Sequence, residues 1–207
     1  MKQPTFDSVF LIRHGQTTWN VQHRHQGRLD SPLTDVGQAQ AVSIGIFLAH
    51  QSVDYLACSP KGRALTTANI AAQYSGLSVV QLRDLQEIDQ GEWSGLTDLE
   101  IDSVFPGARS TRTANKYRWR FPAGESYEDA DRRAAAALSL IASAGVKRPA
   151  LVTHEMISML LTRNLVGQSI EDGMENRLAH GEILKWTREY KHLERIDPSA
   201  MRSNSDL

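Results

Sequence analysis

The chain has 207 residues, 41% hydrophobic and 23% charged, with a formal net charge of −1 at pH 7. That length suits one domain with a large core, spanning 1–207. The near-neutral balance gives no electrostatic case for nucleic acid or an anionic membrane as partner. A single cysteine, Cys58, excludes an internal disulfide and a Cys-rich metal site. No apolar stretch approaches the length of a membrane span, and Met1–Ser8 is short and polar, so a cytoplasmic location is expected.

The first strand is expected over Ser8–Ile12, where an apolar run ends on Arg13-His14-Gly15. A fixed positive charge and a titratable nucleophile then sit together at a strand's carboxyl end, the edge where open α/β sheets bind ligands. A guanidinium matches phosphate with paired N–H donors, and an imidazole nitrogen can attack phosphorus. Gly15 is expected to let the backbone turn tightly and approach an anion. Ser31–Thr34 reads as a turn, with Thr34 capping a helix from Asp35 to about His50. Val36, Ala39, Val42, Ile46 and Ala49 keep helical spacing along it.

The second strand is expected at Tyr55–Cys58, followed by Ser59-Pro60-Lys61-Gly62-Arg63 and a helix over Arg63–Tyr74 that Gly76 ends. Leu77–Leu82, rich in β-branched residues, reads as the third strand. Residues 83–125 are irregular, with a Gly- and Trp-containing loop and one or two helices broken near Pro106-Gly107. This stretch is expected to form a lid or specificity insertion. It carries Arg109, Arg112, Lys116, Arg118 and Arg120, interleaved with Tyr117 and Trp119. That cluster is either a solvated helix face or a surface that meets an anionic substrate.

Ser126 is placed to cap a long Ala-rich helix that ends before Gly145. A strand at Ala150–Thr153 leads into His154, and a helix follows over Met156–Leu165. Ile183–Thr187 and His192–Ile196 read as a late hairpin, and the polar tail Asp197–Leu207 as frayed. Strands alternating with helices imply an α/β fold with a mostly parallel sheet covered on both faces.

Three of these strands lead into loops that carry Arg or His, which suits phosphate chemistry. A phosphomonoester is dianionic, so a catalyst must neutralise its oxygens, supply a nucleophile and protonate the leaving alcohol. Arg13 and Arg63 can clamp the oxygens, and His14 can attack. His154 can donate a hydrogen bond to a transferring oxygen, with the helix amides after it adding to the same anion site.

Five segments carry a family resemblance: LIRHGQTTWN (Leu11–Asn20), SPKGRALTTA (Ser59–Ala68), LQEIDQGEWSG (Leu85–Gly95), PAGES (Pro122–Ser126) and VTH (Val152–His154). In type and order they resemble the histidine phosphatase superfamily, the phosphoglycerate mutase-like proteins, over residues 9–187. The resemblance implies a three-layer α/β/α sandwich. It implies that His14 is the phosphorylated histidine, that Arg13, Arg63 and His154 form the phosphate pocket, and that Glu87 is the proton donor. Only the family pattern selects Glu87 over Asp84, Asp89 and Glu92. Asn20 and Gln26 match positions that line the phosphate or substrate pocket. No metal or organic cofactor is implied.

The chain departs from the pattern at two places. Glu155 follows the second histidine where the family very often has Gly, and is expected to serve the start of its helix or face solvent. Turned inward it would repel phosphate or contact a cationic or hydroxyl-rich substrate. Lys61-Gly62 replaces a Leu-Lys-type pair and leaves Arg63 in place. His154-Glu155-Met156-Ile157-Ser158 begins like a zinc-protease helix but has Ser158 where the second ligand must stand.

Cofactor-dependent mutases of the family carry an Arg and a Tyr in the loop that here reads Glu87-Ile88-Asp89-Gln90-Gly91. Their absence favours hydrolysis of a small phosphorylated metabolite over mutase transfer or non-catalytic ligand binding. The substrate is left open, as is the oligomeric state, a homodimer included.

Overall fold

The computed structural model describes residues 6–190 and 192–200. The far ends of the expected polar start and frayed tail, 1–5 and 201–207, lie outside the described residues. Six strands form one sheet: β1 (Ser8–Arg13), β2 (Tyr55–Cys58), β3 (Val79–Gln81), β4 (Pro149–Thr153), β5 (Ile183–Thr187) and β6 (His192–Ile196). Their order is β3-β2-β4-β1-β5-β6. The pairs β2–β3, β2–β4 and β1–β4 are parallel, while β5 runs antiparallel to β1 and to β6. The helices are α1 (Thr18–Val21), α2 (Asp35–Ala49), α3 (Gly62–Ser75), α4 (Asp98–Val104), α5 (Ala108–Ala114), α6 (Tyr127–Ser143), α7 (Glu155–Val166) and α8 (Ile170–Gly173).

Three layers follow from the strand period of two. Val9 and Leu11 of β1, Ala57 of β2 and Leu151 of β4 point into a cluster with α6 and α7, through Tyr127, Ala134, Leu138, Ile157 and Leu161. Their neighbours Phe10, Ile12, Leu56, Cys58, Ala150 and Val152 point the other way, onto Ile44, Phe47 and Leu48 of α2 and Ala64, Ala68 and Ala71 of α3. Both faces of β1, β2 and β4 are covered, so these strands read as apolar runs rather than alternating ones.

The caps act as their residue types require. The Thr34 side chain accepts from the Gly37 amide to start α2, and Ser126 forms a reciprocal capping box with Asp129 to start α6. Gly76 ends α3 in the left-handed conformation.

Two local readings need correction. The third strand is shorter than expected, Val79–Gln81, with Val80 and Gln81 exposed at the sheet edge. The spacing Val36, Ala39, Val42, Ile46, Ala49 belongs to a real helix but not to its buried face, since Val36 is 56% exposed. The buried arc is Gly37, Ala41, Ser43, Ile44, Gly45, Phe47 and Leu48. Small residues set it: a Cβ on Gly45 would stand 2.5 Å from the Ala71 carbonyl of α3, so glycine allows the close α2–α3 approach.

Candidate active site

Because β4 lies between β1 and β2, three loops leave adjacent parallel strands side by side. Arg13 is in register with Thr153, and Cys58 with Val152. The ladder extends one step past the strands through His14 N–H to the Thr153 carbonyl (3.0 Å) and Ser59 N–H to the Val152 carbonyl (3.0 Å). His14 and His154 therefore meet at this edge, with ring centroids 5.2 Å apart.

His14 is buried and its tautomer is set by its neighbours. Nδ1 lies 2.7 Å from the Gly15 carbonyl, which can only accept, so Nδ1 carries the proton. Nε2 is left with a lone pair, which accepts from Arg63 Nε at 3.2 Å. Burial, then the charges of Arg63 and Arg13, hold the imidazole well below its ordinary range, so it is neutral at neutral pH.

Arg63, at the start of α3, is held by a collar of oxygens. Nη1 donates to the Leu29 carbonyl and to Asp30 Oδ1, both at 2.7 Å, and Nη2 donates to the Gly27 carbonyl at 3.1 Å. Asp30 also accepts from the Gly62 amide (2.8 Å) and the Arg63 amide (3.3 Å), and so caps α3 from outside the helix. Arg13, half-buried, donates from Nη1 to the Leu178 carbonyl (2.6 Å) and from Nη2 to His180 Nε2 (3.2 Å).

The Oγ of Ser59 accepts from the Lys61 amide at 3.2 Å and lies 2.8 Å from His154 Nε2. With one lone pair and its O–H left, Ser59 can accept from Nε2 or donate to it; when it donates, the ring proton sits on Nδ1, which is buried without a protein partner. His154 is also held well below its ordinary range, by burial and then by Arg63 and His14, so its ring is neutral.

Two sequence expectations change here. The first amides of α7 do not face the anion site. Met156 N–H and Ile157 N–H both donate to the Glu87 carboxylate at 3.2 Å, and Ile88 N–H adds a third bond at 3.0 Å. These amides and Arg63 favour the ionised form, yet burial outweighs them and raises the Glu87 carboxyl above its usual range. Gly15 does not serve anion approach through an unusual turn: a Cβ there would stand 2.3 Å from the Gly37 carbonyl, so its role is to let the loop lie against α2.

An open cleft of ≈ 960 Å³ brings together Arg13, His14, Asn20, Gln26, Arg63, Glu87 and Glu155. Asn20 Oδ1 accepts from the Thr17 amide (2.9 Å) and Thr17 Oγ1 (2.8 Å), and Gln26 Nε2 donates to Thr17 Oγ1 at 2.9 Å. The two thus brace the loop after β1 while lining the cleft. Glu155 does not face solvent: it pairs with Arg13 at 2.6 Å inside the cleft. His154 stands immediately behind this wall, fully buried.

Sequence reading missed several cleft residues. His180 lies with its ring centroid 5.5 Å from His14, held down to a pKa of about 4 by burial and by Arg13. Arg112, Arg177 and Tyr127 line the outer part. The signal for Asp30 and His180 is tertiary, since nothing in their local sequence points to a site. Cys58 is a buried strand residue whose thiol burial pushes up to about 11, which suits packing rather than nucleophilic attack. Trp93 packs in the core against Trp119 and Phe121, at centroid distances of 5.1 and 5.2 Å. Among the described residues, no three His, Cys, Asp or Glu side chains group as metal ligands.

Such a neutral histidine between a buried and a half-buried arginine, at the carboxyl edge of a mostly parallel sheet, defines a phosphoryl-handling α/β protein. The histidine phosphatase superfamily (branch 1) matches residues 9–197. A glucosyl-3-phosphoglycerate phosphatase of Mycolicibacterium vanbaalenii is 36% identical over 172 residues, 79% of this chain and 76% of the relative. A Yersinia pestis protein named "Probable phosphoglycerate mutase GpmB" is 36% identical over 163 residues, 77% of this chain and 74% of that one. The solved structure of a mycobacterial glucosyl-3-phosphoglycerate phosphatase with VO3 superposes with a TM-score of 0.80 at 25% identity, covering 92% of this chain and 96% of that one. The chain belongs to the histidine phosphatase superfamily and is a phosphatase of that family.

Proposed function

We propose that the chain hydrolyses small phosphomonoesters in two half-reactions through a phosphohistidine on His14. In the first, the Nε2 lone pair attacks phosphorus, the bond to the alcohol oxygen breaks, and Glu87 gives that oxygen its proton. In the second, water attacks the phosphoryl group, the P–N bond breaks, and the Glu87 carboxylate takes the water proton. Arg13 and Arg63 neutralise the phosphoryl oxygens and the His154 Nδ1–H donates to one of them. Asn20 and Gln26 hold the loop that carries the nucleophile.

One observation carries this reading: His14 is neutral, with Nδ1–H tied to the Gly15 carbonyl and the Nε2 lone pair directed to the arginine side. The raised Glu87 carboxyl supports its role as acid, because a proton must be present to be given. A cleft of ≈ 960 Å³ has room for a leaving alcohol of sugar size. The phosphorylated glycoside in the name of the Mycolicibacterium relative supports a hydroxyl-rich leaving group of that kind.

Rapid acid-sensitive labelling during turnover tests the proposal. Phosphate should be trapped on His14, and His14→Ala should lose both the label and about 10⁴-fold or more of turnover. Full activity in His14→Ala would overturn the reading.

A further inference from the structure

Glu155 contributes a negative charge at the place where a phosphoryl dianion has to bind. It is the first residue of α7, next to His154, and its side chain is 25% exposed in the cleft wall. Its Oε2 lies 2.6 Å from Arg13 Nη1, and its Oε1 lies 3.4 Å from Arg177 Nη1. Arg13 Nη1 has two N–H groups. One donates to the Leu178 carbonyl at 2.6 Å, and the other is the one that Glu155 takes. Nη2 donates to His180, and Nε is buried without a partner. A phosphoryl oxygen arriving at the Nη1 edge of Arg13 therefore meets a donor already held by a carboxylate.

We propose that Glu155 is a specificity-determining residue that competes with the phosphoryl group for Arg13 and so keeps the affinity for bare inorganic phosphate low. In the free enzyme the carboxylate holds Arg13. When an ester binds, its phosphoryl oxygens take the Nη1 donor and Glu155 passes to Arg177, which already faces its other oxygen. Like charges at contact distance strongly disfavour sharing one guanidinium, so the displacement must be offset by other contacts. An ester supplies them through its alcohol part in the outer cleft; the product phosphate has none. The site thereby favours esters with a sizeable polar alcohol and releases phosphate readily. This inference rests on the reading of Arg13, His14 and Arg63 as the phosphoryl site.

Inhibition of turnover by inorganic phosphate and by vanadate, with p-nitrophenyl phosphate as substrate, tests it. Glu155→Gln should lower the inhibition constant for phosphate about ten-fold or more, whereas Glu155→Asp, which keeps the charge, should stay near wild type. Both kcat and KM should fall in Glu155→Gln, because product leaves more slowly, while kcat/KM, which does not contain that step, should not fall. Arg177→Ala should weaken phosphate inhibition in the wild-type background and have a smaller effect alongside Glu155→Gln, since the carboxylate it receives is no longer charged. Melting curves on each variant establish that it is folded. An unchanged or higher phosphate constant in folded Glu155→Gln would overturn the inference while wild-type turnover leaves the phosphatase reading standing. A wild type that neither turns over the substrate nor binds vanadate would remove the phosphatase reading first.

Discussion

The charges at the sheet edge and those on the segment 98–120 are held by different means. At the edge, the Arg63 side chain is 1% exposed and tied to two backbone carbonyls and one carboxylate from 27–30. On that segment, Arg109 pairs with Asp98 and Asp102 across α4 and α5, and Arg120 with Asp129, all with solvent-exposed members. Exposed pairs of that kind contribute little and rearrange easily, whereas a buried guanidinium held by carbonyls has one position. The charges at the edge are fixed in place, and those on the segment 98–120 are free to adjust. The basic segment 109–120 is therefore not one thing. Arg120 belongs to the surface and Arg109, paired with Asp98 and Asp102, to the cleft rim, while Arg112 lies over the Phe121 and Tyr127 rings and donates to the Tyr127 hydroxyl at 3.2 Å inside the cleft.

The largest effect that would sharpen this comparison comes from Glu87. An alkyl alkoxide leaves poorly without a proton, and nitrophenolate leaves well without one. Glu87→Gln should slow phosphorylation of His14 by alkyl phosphates about 10²–10⁴-fold and spare p-nitrophenyl phosphate in that step. Single-turnover measurements on both substrates check it. Equal losses on both would make Glu87 a positioning residue, which its three amide bonds would then explain.

A smaller loss is expected at Asp30, which touches no reacting atom and acts through Arg63. Asp30→Asn weakens charge-assisted bonds to the guanidinium and to the α3 amides. It should lower kcat/KM about 10- to 100-fold. Asp30→Glu should recover part of that loss if the charge is what holds Arg63. Loss of melting temperature with unchanged kcat/KM in the folded fraction would reduce Asp30 to a helix cap.

The smallest effect belongs to the segment 109–120. Arg112→Ala should raise KM a few-fold, about 1 kcal/mol, for esters that carry a second anionic group, and leave KM for p-nitrophenyl phosphate unchanged. Arg118→Ala, an exposed neighbour, should change neither. A large kcat loss in Arg112→Ala would break the division between the edge and that segment.

Legibility in the sequence followed the range of the interactions involved. Tyr55–Cys58 and Ile183–Thr187 were readable to the residue, because short apolar or β-branched runs bounded by turn residues report strand burial directly, and the edge strand His192–Ile196, with no buried residue, was readable as the hairpin partner of the run before it. Arg13, His14, Arg63 and His154 were readable as a set because each lies just past such a run, and the family pattern adds Glu87. The α2 face was not readable: its buried arc depends on how closely α3 can approach Gly45, not on which positions are most apolar. The direction of Glu155 was not readable either, because a helix-start acid is locally satisfied facing either way.

The sequence by itself determined the elements, their caps and the residue types that phosphate chemistry needs, since these depend on neighbours within a few positions. Tertiary structure alone decided that β4 enters between β1 and β2, which sets His14 beside His154. It also gave the α7 amides to Glu87, Asp30 to Arg63, and His180 and Glu155 to Arg13. Those partners are 33 to 167 residues apart or compete with equally good local alternatives, so the choice between them is made only when the sheet and its two helical layers pack.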